Sequence, residues 1–369
     1  MHVLALGPES YGGFAGIAQG TRDFLDGLAT SERVESVHLL ARRRPDGGPA
    51  TPESLTSEAC PGSPLRYARR AYELARTGSW DLVFCLHVNL MPVAAALAWR
   101  LHVPLWLTIH GIDAWEAPRS LWRRRAIARA DVVTSSSRTT RERFLGWSGV
   151  APERVHVNNN PVHAERLGPG PKPASLVERY GLHGRRVLLT LGRMLGNGRT
   201  KGHDEILAAL PRVLERVPNL TWLVVGEGPD AARIQQAVQA SGLEDHVVFA
   251  GRIPEEEKHA HYLVADAFAL TSTTEGFGIV FLEAAACGLP VLGSSRDGSR
   301  DALADGELGR LVDPFDEDAL VDGLLDRLHA PRHVPEALER FHFDEMAARM
   351  RGLLDRAVPP IPAGVRGAA

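Results

Sequence analysis

Short apolar runs alternate with longer amphipathic stretches along the whole chain. In the first half the apolar runs fall at 2–6, 37–41, 82–86, 105–109, 132–134 and 155–157. Segments with helical spacing of apolar positions lie between them, at 17–28, 65–76, 91–101 and 139–146. The pattern restarts with runs at 187–191, 222–225, 247–249, 267–270 and 291–292. Short apolar strands, each followed by a helix-length stretch, predict parallel sheets joined by crossover helices. A break rich in proline and glycine, Leu167-Gly168-Pro169-Gly170-Pro171-Lys172-Pro173, separates the two series. The pattern divides the chain into a domain over 1–162, a linker over 163–178 and a second domain over 179–334. Helical character continues over 335–357. The tail over 358–369 has three prolines and little apolar mass, and is expected to be mobile.

Composition fits this division. The 369 residues are long for one core and comfortable for two, and 44% hydrophobic with 24% charged residues is ordinary for a soluble protein. Three cysteines, Cys60, Cys85 and Cys287, are too few and too scattered for a disulfide frame or a cysteine-rich zinc site. The first residues, Met1-His2-Val3-Leu4-Ala5-Leu6-Gly7, lack the basic region and long apolar core of a signal peptide and read as a buried strand. The most apolar stretch, 90–109, is interrupted by Arg100, His102 and Pro104, short of the run of about 18 that a membrane span needs. A cytoplasmic, soluble protein is expected.

Charge changes the picture. Residues 1–162 hold 19 arginines, no lysine and 15 acids, a balance of +4. The whole chain has 42 basic and 45 acidic residues, so the remainder has 23 against 30, or −7. Arg42-Arg43-Arg44, Arg66/Arg69/Arg70 and Arg119/Arg123/Arg124/Arg125/Arg129 concentrate the positive charge, with Trp115 and Trp122 among the last group. Peripheral contact with an anionic membrane surface is one expectation from these clusters; solvated helix faces are the other. No nucleic-acid motif accompanies the arginines, and nucleic acid is not expected as a partner.

The densest chemistry lies at Thr273-Thr274-Glu275-Gly276-Phe277-Gly278, followed by a helix-like run carrying Glu283 and ending at Cys287-Gly288-Leu289-Pro290. Gly276 and Gly278 let backbone N–H groups approach a ligand closely, and the helix start that follows is a seat for phosphate. Eight helical residues rise about 12 Å, the reach from a sugar ring across a diphosphate to a ribose. One carboxylate can then meet a sugar and the other the ribose. This is a nucleotide-sugar reading, beside the plainer one of two solvated acids on a surface helix. Other polar groups stand at strand ends, where open parallel sheets bind ligands: Tyr11-Gly12-Gly13, His110, Arg193, Lys201, Gly226-Glu227-Gly228-Pro229 and Gly251-Arg252-Ile253. A fixed guanidinium and ammonium, from Arg193 and Lys201, would stabilise charge developing on a departing diphosphate. Arg199 is a rival for one of those roles.

The Glu275–Glu283 segment resembles the Glu-x7-Glu motif of the retaining GT-B glycosyltransferases of the group-1, family-four type. Leu191-Gly192-Arg193, Lys201-Gly202-His203-Asp204, Val225-Gly226-Glu227-Gly228-Pro229, Phe249-Ala250-Gly251-Arg252-Ile253 and Gly309-Arg310-Leu311-Val312-Asp313-Pro314 agree in order. The first half agrees through Gly12-Gly13 and Thr108-Ile109-His110-Gly111. The resemblance implies a GT-B fold: two doubly wound, Rossmann-like α/β domains with an interdomain cleft, the last helix crossing back to the first domain. It implies that Arg193 and Lys201 hold phosphate, that Glu275 holds donor-sugar hydroxyls, that Glu283 meets the ribose and that His110 approaches the transferred sugar. Gly12, Gly13, Gly226, Arg252, Ile253, Gly276, Phe277 and Gly278 would line the donor. Ser136 and Ser137 would lie near the rim, and His87 reads as structural. The chemistry implied is transfer of a sugar, with retention, from a nucleotide-diphosphate donor to a hydroxyl of a glycan, lipid-linked or small-molecule acceptor, as in cell-surface polysaccharide or glycoconjugate assembly. No Asp-x-Asp stands at these strand ends, so neither metal nor cofactor is expected. Alternatives on the same architecture are a nucleotide-sugar epimerase, a phosphorylase, or a non-catalytic nucleotide- or glycan-binding partner. One departure is Gly298-Ser299-Arg300-Asp301, where many relatives have a Glu soon after a Gly-Gly turn.

Overall fold

The computed structural model describes residues 1–11, 16–44, 50–194 and 201–359. The chain forms two compact units, Met1–Pro161 with Phe343–Ala369, and Val162–His342.

The first unit runs β1 (His2–Glu9), α1 (Gly16–Ala29), β2 (Ser36–Arg43), β3 (Leu55–Ala59), α2 (Pro64–Thr77), β4 (Leu82–Cys85), α3 (Met91–Leu101), β5 (Leu105–Ile109), α4 (Leu121–Ile127), β6 (Val132–Ser135), α5 (Arg138–Ser148) and β7 (Val155–Val157). Its seven strands are parallel, in the order β3-β2-β1-β4-β5-β6-β7. The central strands are buried on both faces, so their sequences are continuous apolar runs without alternation, as in Leu105-Trp106-Leu107-Thr108-Ile109. Where a polar atom is buried with them it is bonded: the Trp106 indole N–H donates to the Thr134 hydroxyl at 3.2 Å.

The second unit runs α6 (Ala174–Arg179), β8 (Arg186–Leu191), α7 (His203–Leu214), β9 (Leu220–Val225), α8 (Ala231–Ala240), β10 (Val247–Gly251), α9 (Lys258–Val264), β11 (Ala267–Leu270), α10 (Ile279–Ala286), β12 (Val291–Ser294), α11 (Ser299–Ala302), β13 (Arg310–Val312) and α12 (Glu317–His329). Its six strands are also parallel, in the order β10-β9-β8-β11-β12-β13. Each sheet is doubly wound, and chain direction reverses across it once, between β1 and β4 in the first and between β8 and β11 in the second. Those switch points open a crevice at the carboxyl ends of the strands.

Two boundaries differ from the sequence expectation. Residues 163–178 lie inside the second unit, where Leu176 is buried and Lys172 pairs with Asp266 at 2.6 Å. The helical stretch expected over 335–357 is interrupted: Glu336–Phe341 is a 3-10 turn with Leu338 and Phe341 in the second core, and α13 (Phe343–Ala357) packs against α1 in the first unit. The residues after 359, and with them most of the expected tail, lie outside the described residues.

Candidate active site

At the switch point of the second sheet, the segments after β8 and β11 meet. Lys201 reaches Glu275, its ammonium donating a short hydrogen bond to Oε2, with both side chains largely buried. Arg193 sits two residues past β8 with an exposed side chain. The structure thus brings Lys201 and Glu275 into contact and leaves the Arg193 guanidinium turned to solvent at the same strand end. Gly12 and Gly13 lie outside the described residues, as does the rival Arg199.

Glu283 shows how the sequence forces a local arrangement. Helix α10, Ile279-Val280-Phe281-Leu282-Glu283-Ala284-Ala285-Ala286, is apolar all round and almost wholly buried, with Phe281 edge-on to Phe268 at 5.8 Å. A carboxylate on such a helix needs partners. Glu283, 6% exposed, finds them on α9: the Lys258 ammonium donates to Oε1 at 2.7 Å and the Tyr262 hydroxyl to Oε2 at 2.6 Å. Burial works against the Lys258 charge, but Glu283 and Glu255 beside it hold its pKa above the ordinary value. Burial and then Glu283 push the Tyr262 phenol well up. Glu283 therefore stands with each oxygen already accepting a hydrogen bond. Glu283 is thus part of an assembled Lys258–Glu283–Tyr262 unit, in place of the lone acid that the motif alone suggests.

Other expected donor-lining residues divide by what their side chains touch. Phe277 is in the core, its ring 6.0 Å from Phe341, which leaves only its backbone for a ligand. Gly226 has φ of +134°, and a Cβ there would lie 2.0 Å from the Gly192 carbonyl oxygen, so packing of the loop after β9 on the loop after β8 already demands the glycine. Gly276 and Gly278 flank the turn into α10, where Gly278 is the cap. Arg252 is exposed, 3.7 Å from Glu227, and Ile253 packs on the second core.

In the first unit, His110 follows β5 directly. Its Nε2–H donates to the Leu86 carbonyl at 2.9 Å, and its backbone N–H donates to Asp113 at 3.2 Å. The ring is thereby fixed in tautomer and direction at the end of the strand next to β4. Ser136 donates to the His110 carbonyl at 2.9 Å, while Ser137 caps α5. His87 accepts the Asn89 N–H, and burial lowers its pKa, so it is a neutral structural group. All three cysteines are free and buried.

Sequence reasoning missed Lys258, Tyr262 and Asp297. Lys258 follows Glu255-Glu256-Glu257, a run that reads as a solvated face; its spacing to Tyr262, four residues on, was the available signal that the two share a helix face. Asp297 accepts the Glu275 backbone N–H at 2.7 Å across 22 residues, and no local pattern announces that.

Two doubly wound parallel sheets of this order, with basic and acidic groups at the second switch point, define the GT-B fold. Residues 178–342 match the family described as glycosyl transferases group 1, and residues 15–166 match glycosyltransferase family 4. The chain belongs to these group-1, family-4 glycosyltransferases. It is 37% identical to a GDP-mannose-dependent alpha-(1-6)-phosphatidylinositol monomannoside mannosyltransferase of Mycolicibacterium smegmatis, over 61% of this chain and 62% of that one. That match spans less than two thirds of the relative's length. It is 30% identical to a phosphatidyl-myo-inositol mannosyltransferase of Mycobacterium leprae, over 74% of this chain and 72% of the relative. Anabaena Alr3699/HepE, crystallised with UDP, superposes with a TM-score of 0.74 at 19% identity, covering 96% of this chain and 100% of that one.

Proposed function

We propose that this protein is a retaining glycosyltransferase that moves mannose from GDP-mannose to a hydroxyl of an inositol-headed glycolipid. The observation that carries the reading is the Lys201–Glu275 pair at the switch point of the second sheet, an ammonium and a carboxylate placed where phosphate and sugar would adjoin. Family membership supports glycosyl transfer, and the activities of the two mycobacterial relatives support the donor and acceptor classes.

On donor binding, Lys201 exchanges Glu275 for phosphate oxygens, and Arg193 turns in from solvent to meet them. Glu275, released, accepts from sugar hydroxyls, and Glu283 with Lys258 meets the ribose. Charge that grows on the leaving diphosphate is met by cations already in place, which favours the transition state over the ground state. The bond from the anomeric carbon to the phosphate oxygen breaks. The acceptor oxygen bonds to that carbon on the same face, and its proton passes to the departing phosphate. His110 orients the sugar. The two cations carry the neutralising role, so activity is expected to survive chelation of divalent metal.

No helix among the described residues is long and apolar enough to cross a membrane. The first unit instead offers a surface suited to lying on one. Helix α3 packs against both α2 and α4. On these helices Leu65, Trp99, Leu121 and Trp122 are 65–80% exposed among the arginine clusters. Exposed large apolar groups on arginine-bearing helices support contact with an anionic lipid surface, where a glycolipid acceptor would be found.

The test is calorimetric titration with GDP-mannose and UDP-glucose, with and without chelator, followed by NMR of the product formed on an inositol glycolipid. Binding of GDP-mannose with an α-mannosyl product is expected. Epimerised donor, phosphate-dependent turnover, an inverted product or no binding would each overturn the reading.

A further inference from the structure

The loop between β12 and α11, Ser295-Arg296-Asp297-Gly298, grips the backbone of Glu275. Asp297 is completely buried. Its Oδ2 accepts the Glu275 N–H at 2.7 Å, and its Oδ1 accepts the Ser299 N–H at 3.0 Å and the Ser299 hydroxyl at 2.6 Å. The next residue, Gly298, donates its N–H to the Glu275 carbonyl at 2.9 Å. Two successive residues therefore hold both polar backbone groups of Glu275. The approach is so close that a Cβ at 298 would lie 2.2 Å from the Gly276 carbonyl oxygen.

A buried acid is an expensive way to hold a backbone. Burial, with the Glu275 charge adding to it, raises the Asp297 carboxyl to about 6. Asparagine would avoid that cost, but it offers one acceptor oxygen and would turn its amide N–H₂ toward the Glu275 N–H or the Ser299 donors. The ionised acid satisfies both sides at once. The residue whose backbone it fixes is the one whose carboxylate meets Lys201.

We infer that Asp297 is a positioning residue for the donor sugar: it aims the Glu275 carboxylate, and through it sets how strongly the site prefers a nucleotide sugar over the bare nucleotide. The inference rests on the reading of Glu275 as the acid that binds sugar hydroxyls. In the proposed reading nucleotide binding runs through Lys201 and the Lys258–Glu283–Tyr262 unit, whereas the hydrogen bonds of Asp297 above go to Glu275 and Ser299. Displacing Glu275 should remove sugar discrimination, while Lys201, which leaves Glu275 for phosphate in the proposed reading, still meets the nucleoside diphosphate.

The experiment is calorimetric titration of full-length wild type, Asp297→Asn and Ser299→Ala with GDP and GDP-mannose, and in parallel with UDP and UDP-glucose. Circular dichroism confirms the fold of each variant. In Asp297→Asn the preference for GDP-mannose over GDP should fall by about tenfold or more, a loss of about 1.4 kcal/mol of differential binding, with GDP affinity unchanged within about twofold. Ser299→Ala removes one hydroxyl donor from the same carboxylate and should shift the preference the same way by less, which keeps the test open if Asp297→Asn does not fold. Preference retained in both variants, or sugar and bare nucleotide weakened in parallel, overturns the inference while leaving the proposed activity standing. A wild type that binds neither sugar nucleotide more tightly than its diphosphate overturns the reading of Glu275, and the inference with it.

Discussion

Removing Lys258 isolates the Glu283 carboxylate, a charge buried on an apolar helix. In Lys258→Met an unbranched chain of similar length fills the space but leaves the Glu283 carboxylate with the Tyr262 hydroxyl as its bonded partner. The side chains are 15% and 8% exposed, so water can compensate little. Breaking a buried pair from one side costs about 3–5 kcal/mol, because the remaining charge is left unpaired. The slight exposure of Lys258 places this case near about 3 kcal/mol. For a domain the size of the second unit that corresponds to a fall of about 6–12 °C in melting temperature. Scanning calorimetry at pH 8 reads it directly. At pH 5 the loss should shrink, since a lone buried carboxylate escapes by taking up a proton. Lys258→Met combined with Glu283→Gln should recover most of the stability, because no charge is then left unpaired. A single variant within about 1 kcal/mol of wild type at pH 8, or a double variant no better than the single, would refute the account of an interlocked pair.

Three further outcomes are expected. Asp297 titrates at about 6 against an ordinary 3.8, so folding favours its protonated form. That contribution is complete below about pH 4 and is lost as pH rises through 6, a swing of about 3 kcal/mol. Burial raises this carboxyl, as does the Glu275 charge, while the Ser299 hydroxyl and N–H lower it. Charged groups near it in sequence are Arg296, paired with Asp313, Arg300, paired with Asp305, and the buried Asp301. Calorimetric stability of wild type should therefore gain on Asp297→Asn between pH 7 and 5; identical slopes in the two proteins would sink this. Lys201→Ala and Arg193→Ala should each lower kcat by about a hundredfold or more with the fold intact, and wild-type turnover in the Lys201 variant would reassign the phosphate role. Replacing Trp99 and Trp122 together by Ser should release the protein from phosphatidylglycerol vesicles at low salt, measured by co-sedimentation; a wild type that never sediments would end the membrane proposal.

What the sequence revealed follows from burial. Strands β5 and β11 fall where the apolar runs predict them, because sheets covered on both faces leave central strands almost wholly apolar. Edge strand β7 and helix α3 also fall within their expected bounds. Strand β3 escaped notice: of Leu55-Thr56-Ser57-Glu58-Ala59 only Leu55 is buried, and an edge strand carries polar residues on its open side. The short edge strand β13 was missed for the same reason. The break before α13 is not marked by loss of apolar residues: Phe341 packs in the second core and Phe343, two residues on, against the first. At the candidate site, Glu275 and Lys201 were readable from glycine-flanked strand ends. Their supports were not. Lys258, Tyr262 and Asp297 act across 21 to 25 residues, through contacts that exist only once α9 lies beside α10 and the loop after β12 lies beside the loop after β11.

The return of α13 to the first unit has a consequence for synthesis. Met346, Met350 and Leu354 fill the same core as Phe24, Leu25 and Leu28 of α1, and Gly27 leaves space for the Met346 and Met350 sulfurs. That core stays open to water while the ribosome makes the whole of Val162–His342, a continuous segment able to complete its own sheet meanwhile. Earlier domains ordinarily fold first during synthesis. Here the first unit cannot complete its core until α13 has been made, so the second unit is expected to be able to close before it.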